Sequence, residues 1–112
     1  MILQNIFLIS KKCKPCEGKT PALDEVRIGD LLKQVSGWEY QGGEIVKTFT
    51  FKNYYETVSF VNAVAWIAHR EDHHPDVSFG YKTCKIRYST HAVRGMTEND
   101  FICAAKIDAL VG

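Results

Sequence analysis

The sequence predicts an α+β fold: a four-stranded antiparallel sheet with three helices packed on one face. Three observations predict it. Apolar periodicity runs in the order helix, strand pair, helix, strand pair, helix along the chain. Each strand pair is joined by a short polar or glycine-bearing segment, so the strands pair as hairpins. The 112 residues, 46% of them hydrophobic, suffice for one core and leave no length for a second domain. Residues 1–22 read as N-terminal tail and loop, and 23–112 as a single domain.

Each element has its own signal. Asp24 caps a helix running to about Val35, with Leu23 and Ile28 spaced as a hydrophobic staple and Leu31, Leu32 and Val35 as the apolar face. Ser36-Gly37 ends it. Trp38 to Tyr40 and Glu44 to Phe51 form strands around a Gly42-Gly43 turn. Ile45, Phe49 and Phe51 share a face that Lys47 interrupts. Asn53 caps a long helix from about Tyr54 to Arg70, with Val61, Val64, Ala65 and Ala68 along one side. Pro75 forbids its continuation. Val77, Phe79 and Tyr81 alternate in a third strand, and Cys84, Ile86 and Tyr88 in a fourth. Thr97-x-x-Asp100 has the spacing of a capping box, with Met96 and Phe101 as its staple, and opens the last helix.

The charge balance narrows the function. The net charge is +1 and no basic run stands out, so the footprint of a nucleic-acid binder is missing. No apolar stretch approaches the roughly 18–20 residues that span a bilayer. The apolar start, Met1 to Ser10, lacks a basic flank and a small-residue cleavage site and reads as ordered tail or strand. The expected location is cytoplasmic, with four free thiols. Cys84 and Cys103 fall in apolar patterns and read as small core residues. Cys13-Lys-Pro-Cys16 has the spacing of half a zinc site or a redox pair, but no second such pair exists and no helix follows it; a role in the tail is the plainer reading.

The histidines carry the chemistry. His73-His74-Pro75 lies where a helix hands over to a strand, and His91 lies at the end of the next strand. A turn centred near Lys82 sets His73 opposite His91, so three imidazoles gather at one end of the sheet. Such a cluster admits zinc ligation, metal-free acid/base work near the imidazole pKa, or purely structural hydrogen bonding. His69, on the preceding helix, reads as a surface or capping residue. Asp72 is placed to orient an imidazole, Ser89 and Thr90 to meet a planar heterocycle, and Trp38 to supply an aromatic wall or else fill core. Asp100 reads first as a helix cap.

Glu71-Asp-His-His-Pro-Asp76, Tyr81, Ser89-Thr-His91 and Gly95-Met-Thr-Glu-Asn-Asp100 resemble the signature of the pterin-4a-carbinolamine dehydratases. Gly37-Trp38, Phe49-Thr-Phe51-Lys, Phe60 and the Cys13-Lys-Pro-Cys16-Glu-Gly segment extend the resemblance over residues 13–111. Met96 stands where leucine is common, and Val77 where an aromatic is frequent. The resemblance implies the fold above, assembled as a homodimer or homotetramer. It implies dehydration of 4a-hydroxytetrahydrobiopterin to quinonoid dihydropterin, recycling the pterin of aromatic amino acid hydroxylases without metal or other cofactor. His73 and His91 are then the main acid/base groups and His74 mainly orients substrate. Asp72 fixes a tautomer, and Ser89 and Thr90 hold the pterin edge. Two alternatives belong to the same resemblance: a dimerisation partner of a transcription factor, and a pterin-binding role in molybdopterin metabolism.

Overall fold

The computed structural model describes residues 6–15 and 20–111. Its elements in chain order are α1 (Ile6–Ser10), α2 (Glu25–Leu32), β1 (Glu39–Gln41), β2 (Glu44–Thr50), α3 (Tyr54–Glu71), β3 (Asp76–Phe79), β4 (Thr83–Tyr88), a 3-10 turn (His91–Val93) and α4 (Glu98–Asp108). The strands lie in the order β1-β2-β4-β3, each antiparallel to its neighbour. The α+β fold, with four antiparallel strands and three longer helices, is the one the periodicities predict.

Local chemistry sets the boundaries. Gly42 and Gly43 both have left-handed φ, 57° and 84°, a pair of conformations that glycine adopts without cost and that a two-residue hairpin needs. Gln41 and Glu44 pair across them. Asn53 accepts from the Glu56 amide at 2.9 Å to start α3, and Asp24 accepts from the Arg27 amide at 2.8 Å to start α2. The Thr97 amide donates to Asp100 at 3.0 Å, completing the capping box of α4. Regular α2 stops at Leu32, short of the expected Val35, because the Gln34 and Val35 amides bond three residues back in a tighter turn.

The core lies between the sheet and the helices. Ile45 and Phe49 of β2 and Cys84, Ile86 and Tyr88 of β4 are buried beneath Leu31, Phe60, Val64, Phe101 and Ile107. Phe60 packs at 4.7 Å on Phe49 and at 4.9 Å on Phe51. The buried stripe of α3 is Thr57, Phe60, Val64, Ala68 and Glu71. It shares Val64 and Ala68 with the expected stripe but is rotated away from Ala65, which is exposed. α4 is buried on almost every side, and α1, α2 and α3 all pack on it.

Three features differ from expectation. The described part of the apolar start is a helical turn rather than a strand, with Leu8 buried. The register of the second hairpin is offset by one residue: Val77 faces Ile86. Extended past the strands, it sets position 73 against Thr90 rather than His91. Lys47 points into the core side of β2, where its ammonium donates to the Ser36 carbonyl at 2.7 Å and to Asp108 at 2.9 Å. Trp38 donates its indole N–H to the same carboxylate at 3.1 Å. Burial pushes the Asp108 carboxyl up, and Lys47 and Trp38 partly offset that.

Replacing Lys47 by Met leaves the Asp108 carboxylate short of its cation. We expect a loss of about 2 kcal/mol in urea unfolding. A smaller loss is expected when Asp108→Asn accompanies it, because the two residues are in contact and their effects are not additive.

Candidate active site

α3 ends by a change of backbone hand. Asp72 has φ 51° and ψ 43°, left-handed values that aspartate tolerates better than most side chains. The chain turns so that the His73 amide bonds back to the Ala68 carbonyl at 3.1 Å. Two neighbouring histidines thereby part company: the His73 side chain is 13% exposed, while His74 stays at the surface.

His73 is held from several directions. Its Nε2 lies 2.6 Å from Asp100 Oδ1. Its ring stacks on Tyr88, with centroids 5.2 Å apart and planes 12° from parallel. The Tyr88 hydroxyl donates to the His73 carbonyl at 3.0 Å. Asp100 is fully buried, and its second oxygen accepts from Thr90 Oγ1 at 2.9 Å and from the Thr97 amide at 3.0 Å. With the Thr90 proton committed to Asp100, the Thr97 hydroxyl, 2.8 Å away, donates to Thr90. With two donors on Oδ2, the remaining oxygen of Asp100 is free to accept an N–H from Nε2 of His73.

The other ring nitrogen, Nδ1, has no hydrogen-bond partner among the described residues. No buried side-chain nitrogen or oxygen there lacks one, so Nδ1 retains accessible surface. It is the atom offered to a cavity of about 610 Å³ lined by His73, His74, Asp72, Ser89, Thr90 and His91, together with Lys12, Cys13, Lys14, Arg70, Glu71 and Asn99. That volume suits a small organic ligand. His91 stands exposed on the 3-10 turn, in a loop closed by the Thr90 amide on the Gly95 carbonyl at 2.8 Å.

Six of the seven residues singled out in the sequence therefore meet at one cavity. Trp38 does not: it is buried beside Phe49 and Asp108, and the aromatic neighbour of the histidines is Tyr88. The carboxylate that meets the His73 ring is that of Asp100, 27 positions beyond the histidine, and not that of the neighbouring Asp72. Asp72 is exposed and adds only a weak charge effect. Thr90 lines the cavity, but its hydroxyl is engaged behind His73. Among the described residues, no three His, Cys, Asp or Glu side chains converge closely enough to hold a metal ion.

Glu71 was not foreseen. It is buried; Oε1 accepts from the Cys13 amide at 2.8 Å and Oε2 from Lys106 at 2.9 Å, fastening residues 11–15 to α3 and α4. Asn99 completes the clasp by accepting from the Lys14 amide at 3.0 Å and donating to the Lys14 carbonyl at 2.6 Å. The signal for Glu71 was its place at the head of the histidine motif. Cys16 lies outside the described residues.

Burial alone pulls the His73 imidazole down, but the hydrogen bond and charge of Asp100 outweigh it and hold the pKa above the ordinary 6.5. The pair stabilises the fold fully below the pKa of the unfolded imidazole, and that contribution fades as pH rises through the folded value. NMR titration should show His73 protonated to higher pH than an ordinary imidazole, with the upward shift lost in Asp100→Asn.

The chain is similar to known proteins along most of its length. Residues 21–110 match the family model described as pterin 4 alpha carbinolamine dehydratase. A Nitrosospira multiformis protein provisionally named pterin-4-alpha-carbinolamine dehydratase is 60% identical over 103 residues, covering 92% of this chain and 91% of its own. A Nitrosomonas eutropha protein with the same provisional name is 55% identical, covering 93% of each. The crystal structure of a transcriptional coactivator/pterin dehydratase from Brucella melitensis superposes with a TM-score of 0.78 at 29% identity, covering 81% of this chain and 99% of that one. A pterin dehydratase-like protein identified as a RuBisCO assembly factor in the alpha-carboxysome gives 0.61 at 29% identity, covering 68% and 90%. With a family model spanning most of its length and relatives this similar, the chain belongs to the pterin 4 alpha carbinolamine dehydratase family.

Proposed function

We propose that this chain dehydrates 4a-hydroxytetrahydropterin to quinonoid dihydropterin, recycling the pterin of aromatic amino acid hydroxylases. The observation that carries the reading is the His73 imidazole, anchored at Nε2 by a buried carboxylate and open to the cavity at Nδ1. A group built this way holds its proton to higher pH than a free imidazole and presents it in one direction.

The reaction asks for little more. His73 Nδ1–H gives its proton to the 4a-hydroxyl, which departs as water while the adjacent ring nitrogen pushes in its lone pair. The proton on that nitrogen passes to His91, across the cavity. Solvent then returns a proton to His73 and takes one from His91, so the cycle closes with the loss of one water. His74, Ser89 and Asp72 hold polar edges of the heterocycle. Thr90 acts through Asp100, keeping that carboxylate aimed at His73. General acid–base catalysis supplies about 10²–10⁴-fold, and orientation of the ring adds to it. That suffices for a substrate whose own nitrogen drives the departure.

Stopped-flow decay of chemically generated 4a-hydroxytetrahydropterin, in EDTA, tests the proposal. Wild type should accelerate the decay, and His73→Ala should lose about 10²–10⁴-fold of that acceleration. A fully active His73→Ala would remove the proposed acid, and an inert wild type would remove the reaction. The wild-type rate should fall as pH rises through the elevated His73 pKa, and Asp100→Asn should move that fall to lower pH.

A further inference from the structure

Cys13 and Cys103 are 90 positions apart in the chain, yet their sulfurs lie 3.6 Å apart with no bond between them. Cys13 is half-buried and lines the histidine cavity. Cys103 is fully buried on α4, one turn beyond Asp100, with its sulfur 3.9 Å from the His73 carbonyl. Thiols on two separate segments meet behind the main imidazole, and neither takes part in the proposed dehydration.

We propose that Cys13 and Cys103 are a redox modification site, closing to a reversible disulfide when a peroxide enters the cavity. Bond formation requires the sulfurs to approach from 3.6 Å to about 2.0 Å. α4 is buried and capped, so the movement falls on residues 11–15, which have no regular structure. The hydrogen bond from Cys13 holds the Cys103 thiol below its usual range despite burial, and the same pairing raises Cys13. The pairing thus keeps the proton on Cys13 and favours the thiolate at Cys103.

The chemistry balances with the peroxide as oxidant. Cys13 sulfur, which lines the cavity, attacks the O–O bond of hydrogen peroxide as its proton passes to Cys103 across the 3.6 Å contact; it becomes a sulfenic acid and releases the second oxygen as water. Cys103 sulfur then attacks Cys13 sulfur, the S–S bond forms, and the sulfenic oxygen leaves as a second water. Two thiols and one peroxide become one disulfide and two waters; a dithiol reductant reverses the result by exchange. The crosslink fastens the cavity wall to α4 and removes the thiol proton that Cys103 directs at the His73 carbonyl. Oxidation is therefore felt at His73 without any oxidation of the histidine itself.

The test uses the full chain, reduced and then treated with hydrogen peroxide. Intact mass should fall by about 2 Da, the loss of two hydrogens. Non-reducing peptide mapping should join the peptide holding Cys13 to the one holding Cys103. Cys16→Ser should keep this product, and Cys13→Ser and Cys103→Ala should each abolish it. In the Cys16→Ser protein, oxidation should raise Tm by on the order of 10 °C, as a crosslink closing so long a loop does. The His73 imidazole resonances should move and return with reductant. A Cys13–Cys16 crosslink in place of this one, a sulfinic acid without crosslink, or unchanged thiols would each overturn the assignment. A Cys13–Cys103 disulfide that left the His73 resonances in place would overturn its connection to the site.

Discussion

The carboxylate of Asp100 is the point on which fold and site both depend. It caps α4, the most deeply buried helix, by accepting the Thr97 amide. It accepts the Thr90 hydroxyl, pinning the loop that carries His91. It also grips His73 Nε2 at 2.6 Å. A buried carboxylate without such donors would cost several kcal/mol; here each donor belongs to a different part of the chain. The energy that keeps the charge inside the protein is the energy that gathers the site. Stability and imidazole orientation are two readings of one set of hydrogen bonds.

Around that point the fold supplies rigidity rather than further charge. Tyr88 serves twice, with its ring stacked on His73 and its hydroxyl on the His73 carbonyl. The left-handed turn at Asp72 sends one histidine inward and leaves the next at the surface. Glu71, Asn99 and Lys106 bring the segment around Cys13 onto α4, completing a wall that the sheet and long helices do not provide.

Much of this was legible in the sequence because it depends on short-range chemistry. Asn53, Asp24 and Thr97 start helices where capping side chains must stand, and Gly42-Gly43 turns where only paired left-handed residues fit. The histidines could be grouped because a hairpin maps sequence distance onto space. What the sequence hid depends on long-range geometry or on a single residue of register. Asp72 and Asp100 are equally acidic on paper, and only the packing of α4 against the end of α3 selects Asp100. Trp38 was ambiguous because an indole fits either a core or an aromatic wall; the Asp108 carboxylate draws its N–H inward. The stripe of α3 was misread by a fraction of a turn because small residues such as Ala65 are equally at home on either side of a burial boundary.

Lys47, the cation that breaks the apolar stripe of β2, has a consequence beyond pairing with Asp108. Side chains alternate along a strand, so a slip of one residue against β4 would turn the ammonium to the outer face and leave Asp108 without its cation. A slip of two would keep the face but carry the ammonium some 6–7 Å along the strand, out of reach of the carboxylate. A purely apolar stripe would distinguish these alignments by packing alone. The charged pair acts as a key in a lock: a single alignment of the sheet satisfies it, and the strand end that leads into Ser89, Thr90 and His91 is set by that alignment.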